Sequence, residues 1–79
     1  MTQVVSPLPG VFYRRPAPDK PPFVETGDRI ETGQTVGIVE IMKQFTEIPA
    51  PASGVVGAFA VPDLGMVAPG DVIVTIAED

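Results

Sequence analysis

The residues best equipped for chemistry in this chain are Glu40-Ile41-Met42-Lys43-Gln44. They sit between an apolar run, Val36-Gly37-Ile38-Val39, and a second extended segment, Phe45-Thr46-Glu47-Ile48. A lysine at the tip of a tight connection between two strands is held in solvent. There its amine can be modified, and the modified side chain can reach into another protein's active site. With Met42-Lys43 as the central residues of a hairpin, Ile41 opposes Gln44, Glu40 opposes Phe45, Val39 opposes Thr46 and Ile38 opposes Glu47. Alternation along the strands then puts Val39, Ile41 and Ile48 inward and Glu40 and Glu47 on the other face. Phe45 alternates out of phase with Val39, which leaves it facing a partner. Two-residue hairpins favour Asn and Gly because their central residues need positive φ. Met-Lys breaks that rule, and broken local rules concentrate at functional sites. The bland alternative is a solvated lysine at a loop tip.

Composition removes most other chemistry. The chain has no Cys and no His, so disulfides, thiolate metal sites and the commonest general base are all excluded. No carboxylate pair is spaced for acid–base work, and no metal site is expected. A reducing compartment, and hence a cytoplasmic location, fits the absence of cysteine. The net charge of −5 is uneven. Every cation (Arg14, Arg15, Lys20, Arg29, Lys43) lies in residues 1–43, and residues 44–79 hold only anions. Nucleic acid is not an expected partner, because it requires a basic footprint. No segment has the length of about 20 apolar residues needed for a membrane span, and no signal peptide is read at the N-terminus. Only two lysines exist, so a lysine-modifying enzyme meets few decoys.

The elements that must position Lys43 are short. Ten prolines and eight glycines break any long helix. What remains are runs rich in Val, Ile and Phe at 4–5, 10–13, 35–41, 44–48, 55–61 and 72–76, separated by turn residues. That is an all-β pattern, a sandwich or barrel. Phe12, Phe23 and Phe59 read as ordinary packing. The chain as a whole, 1–79, reads as one domain.

The two halves also match each other. Pro7-Leu8-Pro9-Gly10-Val11-Phe12 resembles Pro51-Ala52-Ser53-Gly54-Val55-Val56, and Gly33-Gln34-Thr35-Val36 resembles Gly70-Asp71-Val72-Ile73. The second pair of segments is more closely spaced than the first, so the first half carries an insertion between its matched segments. The proline-rich stretch 14–22 supplies it. Halves of roughly forty residues are each too small to bury their own face, so they should pack about a pseudo-twofold axis. On that symmetry the Lys43 tip is equivalent to the chain termini, and the two should lie at opposite ends of the domain.

At this point a resemblance becomes specific. Gly37-Ile38-Val39-Glu40-Ile41-Met42-Lys43 resembles the biotin motif of the biotin carboxyl carrier proteins, in which Met-Lys sits at a hairpin between two matched half-domains. Ser6 to Arg14 resembles the first strand of the carrier subunit of bacterial acetyl-CoA carboxylase, and Ser53-Gly54 follows Lys43 at the family's spacing. Pro16-Ala17-Pro18-Asp19, with Arg14, falls where that family has a protruding thumb. The similarity runs from about Val5 to Glu78. Two departures stand out: the usual motif is Ala-Met-Lys-Met or Ala-Met-Lys-Leu, and here Ile41 and Gln44 flank the Met-Lys pair.

The resemblance implies a flattened antiparallel barrel-sandwich of two four-stranded sheets. It also implies biotin joined to Lys43 by an amide, with Met42 read by a biotin protein ligase and Glu40, Ile41 and Gln44 flanking the site. The thumb would contact the biotin ring, or else be only a stiff loop. The chain would then be a non-catalytic carrier between a biotin carboxylase and a carboxyltransferase, making both encounters effectively intramolecular. Two alternatives share the fold: a lipoyl carrier, and an unmodified barrel used as an assembly module.

Overall fold

The computed structural model describes residues 1–78. They form eight strands: β1 (Thr2–Val5), β2 (Gly10–Tyr13), β3 (Arg29–Ile30), β4 (Thr35–Ile41), β5 (Gln44–Pro49), β6 (Gly54–Phe59), β7 (Met66–Val67) and β8 (Val72–Glu78). The apolar runs read from the sequence became β1, β2, β4, β5, β6 and β8. The two that were not read, β3 and β7, are two residues each, too short to show a period. No helix among the described residues is long and apolar enough to cross a membrane.

The strands make two antiparallel four-stranded sheets, ordered β1-β8-β6-β3 and β5-β4-β2-β7. Replacing each strand by its repeat partner (β1 by β5, β8 by β4, β6 by β2, β3 by β7) turns the first order into the second. The symmetry extends to single hydrogen bonds. Gly33 N–H donates to Ala50 O at 2.8 Å, and its counterpart Gly70 N–H donates to Ser6 O at 2.8 Å. Likewise Val56 N–H donates to Asp28 O, and Phe12 N–H donates to Gly65 O, both at 2.8 Å. Gly33 and Gly70 occupy the same left-handed turn conformation, φ 90° and 89°, which glycine adopts without steric cost.

The core fills the space between the sheets. Phe12, Val36, Val39, Ile73, Val74 and Ile76 are fully buried, with Val4, Val24, Ile30, Ile48, Val56 and Val67 around them. Burying a side chain of this size contributes about 1.5–3 kcal/mol, so no disulfide is required. Backbones approach closely at two equivalent points. A Cβ added at Gly10 would strike the Glu40 carbonyl oxygen, and one at Gly54 would strike the Ala77 carbonyl oxygen.

The register places the hairpin and the Thr2–Ile76 pair at opposite ends. Thr2 pairs with Ile76 near the termini, and β1 leads from there toward Val5, opposite Val72. The chain then enters β2 at Gly10–Val11, and Val11 pairs with Glu40 at the hairpin end of β4.

Candidate functional site

The hairpin between β4 and β5 has the register read from the sequence: Ile41 opposite Gln44, Glu40 opposite Phe45, Val39 opposite Thr46 and Ile38 opposite Glu47. Met42 and Lys43 form its turn, with φ 51° and 66°. Both are therefore left-handed, a conformation costing roughly 1–2 kcal/mol per non-glycine residue. The rest of the hairpin holds them there. Met42 is 89% exposed, and Lys43 is exposed beside it.

Ile41 corrects an expectation. It shares a face with the buried Val39 but is 37% exposed. Its cross-strand neighbour is the exposed Gln44, and the sandwich ends before it can be covered.

Tyr13 braces the hairpin from the neighbouring strand. It pairs with Ile38, and its hydroxyl donates a hydrogen bond of 2.8 Å to Glu40 Oε1. Its ring lies 6.1 Å from that of Phe45, at 56°, a tilted geometry favoured by aromatic quadrupoles. One side chain of β2 thus touches both strands that carry the turn. The hydrogen bond to Glu40, then the loss of water, then the negative charges of Glu40 and Asp63 push the Tyr13 phenol above its usual 10.0.

The segment between β2 and β3 begins with a closed loop. Phe23 N–H donates to Arg14 O at 2.8 Å, and Lys20 N–H donates to Ala17 O at 3.1 Å. The loop is fastened to the opposite half-domain through Asp63. Asp63 Oδ1 accepts from the Arg14 backbone N–H at 2.8 Å, and Asp63 Oδ2 lies 3.9 Å from Arg15 Nε. The Arg14 guanidinium carbon sits 4.1 Å above the centre of the Phe59 ring, a cation–π contact.

Under this loop lies a groove of about 410 Å³ on the outer face of the β5-β4-β2-β7 sheet. Its lining includes Pro16, Ala17 and Pro18 from the loop, and Tyr13, Ile38 and Phe45 from the sheet. Arg15, Asp63 and Leu64 complete the lining. The cover explains why Ile38, on the outer face, is buried although it stands apart from the main core. Of the residues singled out in the sequence, Pro16, Ala17 and Pro18 meet here, whereas Arg14, Asp19 and the residues 40–44 do not line the groove. Phe45, expected to face a partner, is 59% exposed and forms one wall.

The sequence reading missed Tyr13, Ile38, Asp63 and Leu64. Leu64 alone left a signal, since the internal repeat sets it opposite a glycine, Gly27. Among the described residues no cluster of three or more His, Cys, Asp or Glu side chains could hold a metal ion.

Residues 2–76 match the family described as biotin-requiring enzyme. The chain belongs to that family. It is 55% identical over 53 residues to the biotin carboxyl carrier protein of acetyl-CoA carboxylase from Streptococcus pyogenes, covering 67% of this chain and 32% of that one. It is 56% identical over 54 residues to the carrier of the same name from Nostoc sp., covering 68% of this chain and 30% of that one. The chain thus spans about a third of the length of these relatives. In three dimensions it matches the crystal structure of the Kluyveromyces lactis urea carboxylase, with a TM-score of 0.78 and 29% identity. That match covers 96% of this chain and 6% of the larger one. The biotin-requiring family and the carriers' names favour biotin over the lipoyl and unmodified alternatives, and the all-β fold agrees with the sequence reading.

Proposed function

We propose that Lys43 is the attachment point for biotin, and that this domain is a non-catalytic carrier in a biotin-dependent carboxylase of the acetyl-CoA carboxylase type. The observation that carries the reading is the Met42-Lys43 turn. It holds an exposed amine at the end of the sandwich away from the Thr2–Ile76 pair, in a backbone conformation that these residue types do not choose by themselves. The relatives named as carriers of acetyl-CoA carboxylase support the carboxylase assignment.

The groove fits the group. Its apolar lining suits the hydrocarbon edges of a bicyclic ring, and Arg15 and Asp63 offer a polar end for a ureido function. Biotin, when bound, supplies an acceptor nitrogen for a carboxyl group. The chain's own residues do the rest: Lys43 tethers, Met42 is available for recognition by a biotin protein ligase, and the loop 14–22 partly screens the ring from water. Glu40, with Tyr13, steadies the strand that leads to the tether, while Ile41 and Gln44 flank it. The partners on this reading are a biotin carboxylase and a carboxyltransferase, visited in turn from a tether at the opposite end. Expression with a biotin protein ligase, followed by streptavidin blotting of wild type and Lys43→Arg, tests the assignment. Signal should appear in the first and vanish in the second.

A further inference from the structure

Among the described residues, three that are not glycine have positive φ: Met42, Lys43 and Leu64. The first two form the hairpin turn. Leu64, at φ 70°, lies in the connection between β6 and β7, where the repeat places it opposite Gly27 at φ 98°. The two turns make the same bonds: Gly27 N–H donates to Val56 O at 2.8 Å, and Leu64 N–H donates to Phe12 O at 2.7 Å. One half of the molecule therefore builds this turn with the residue that adopts it freely, and the other builds it with a branched side chain that does not.

Packing does not account for the difference, because Leu64 is 63% exposed. It lines the groove together with the loop prolines Pro16 and Pro18 and with Phe45. Phe45 is two residues from Lys43 along one strand, a step of roughly 7 Å. The group borne by Lys43 is consequently the nearest tethered occupant the groove can have.

We propose that Leu64 is a positioning residue for that group: it forms the apolar wall opposite the loop 14–22, and its backbone strain is tolerated because the side chain contacts the tethered ring. This deepens the reading given under Proposed function and rests on it. It commits the groove to the chain's own cargo rather than to a second copy or another protein. On the symmetry-related turn Gly27 needs no side chain, because the repeat sets the N-terminal strand β1 there in place of the strand that leaves Lys43.

The test uses the chain with and without biotin on Lys43, attachment being verified by mass, with Leu64→Gly and wild type side by side. Two readouts are taken. In methyl NMR of the wild type, the Leu64 methyl signals should shift on biotinylation. Signals of Val4, buried between the sheets, should stay in place. In thermal unfolding, unmodified Leu64→Gly should melt at or above the wild-type temperature, since glycine relieves the turn. Any rise in melting temperature caused by biotin should be smaller in the variant. Leu64 methyls that do not move in protein proven to be biotinylated would overturn the inference while leaving the carrier assignment intact. So would a melting temperature of Leu64→Gly below wild type, which would make Leu64 an ordinary packing residue. A shift that depends on protein concentration would assign the groove to a second copy and also overturn it. Failure to biotinylate Lys43 at all would instead remove the underlying assignment.

Discussion

The Tyr13 hydroxyl and the Glu40 carboxylate, 27 residues apart in the chain, are joined by a 2.8 Å hydrogen bond across the outer face of one sheet. Glu40 stands three residues before Lys43, so the bond links the strand at the base of the loop to the strand that leads to Lys43. Glu40 also raises the Tyr13 phenol above 10.0. The folded state therefore keeps that proton to higher pH than the unfolded state. The contribution to stability is fully present below pH 10 and is lost as pH rises through the folded value.

Tyr13 is the single tyrosine of the chain, so its ultraviolet titration is free of overlap. The phenolate band should appear above pH 10 in the wild type. In Glu40→Gln the midpoint should move down toward 10, because both the charge and the carboxylate acceptor are gone. An unchanged midpoint would mean that the bond does not persist in solution.

The close approach of Gly54 to the Ala77 carbonyl leaves no room for a methyl group. Gly54→Ala should destabilise the fold by about 1–3 kcal/mol, the usual cost of overpacking, as read by urea unfolding. Gly10→Ala, its symmetry equivalent against Glu40, should cost a similar amount. It should additionally disturb amide exchange in the hairpin.

Met42 holds φ 51° with a side chain that prefers not to. Met42→Asn should raise stability by up to about 1 kcal/mol, because Asn enters this conformation at low cost. The same change should slow biotin attachment, since the ligase loses an exposed thioether beside the amine. The pair of measurements is a melting curve and a time course of streptavidin binding. A faster time course would mean that Met42 is not read.

Asp63 anchors the loop to the other half-domain through Arg14 and Arg15. Asp63→Ala should cost about 1 kcal/mol, within the range for a single hydrogen bond. Hydrogen exchange should accelerate at the Arg14 amide, while Lys43 remains a substrate for attachment. Slow exchange at Arg14 in the variant would show that the loop is held by other contacts.

Much of this was legible in the sequence, and the reasons differ from element to element. The hairpin register followed from alternation and from the Met-Lys pair, both local. The pseudo-twofold followed from short matched segments around Gly10 and Gly54, whose lack of a side chain is now explained by a backbone contact. Ile41 was misjudged because alternation gives a face and not a depth: the face is inward, but the sandwich stops at Val39. The groove was not legible, because its walls come from positions 13, 38, 45 and 64, distant in sequence and of unremarkable type. Tyr13 and Asp63 act through single long-range hydrogen bonds, for which no spacing rule exists. Only Leu64 could have been found beforehand, by asking why one copy of a repeated turn lacks its glycine.

On the reading proposed above, one exposed amine, that of Lys43, carries the cargo. Peptide mass mapping of the chain produced with a biotin protein ligase and ample biotin tests it most directly. A single biotinyl addition should be found, on the peptide containing Lys43, and should be absent from Lys43→Arg. A bare Lys43, a lipoyl mass there, or biotin found instead on Lys20 or the N-terminal amine would contradict it.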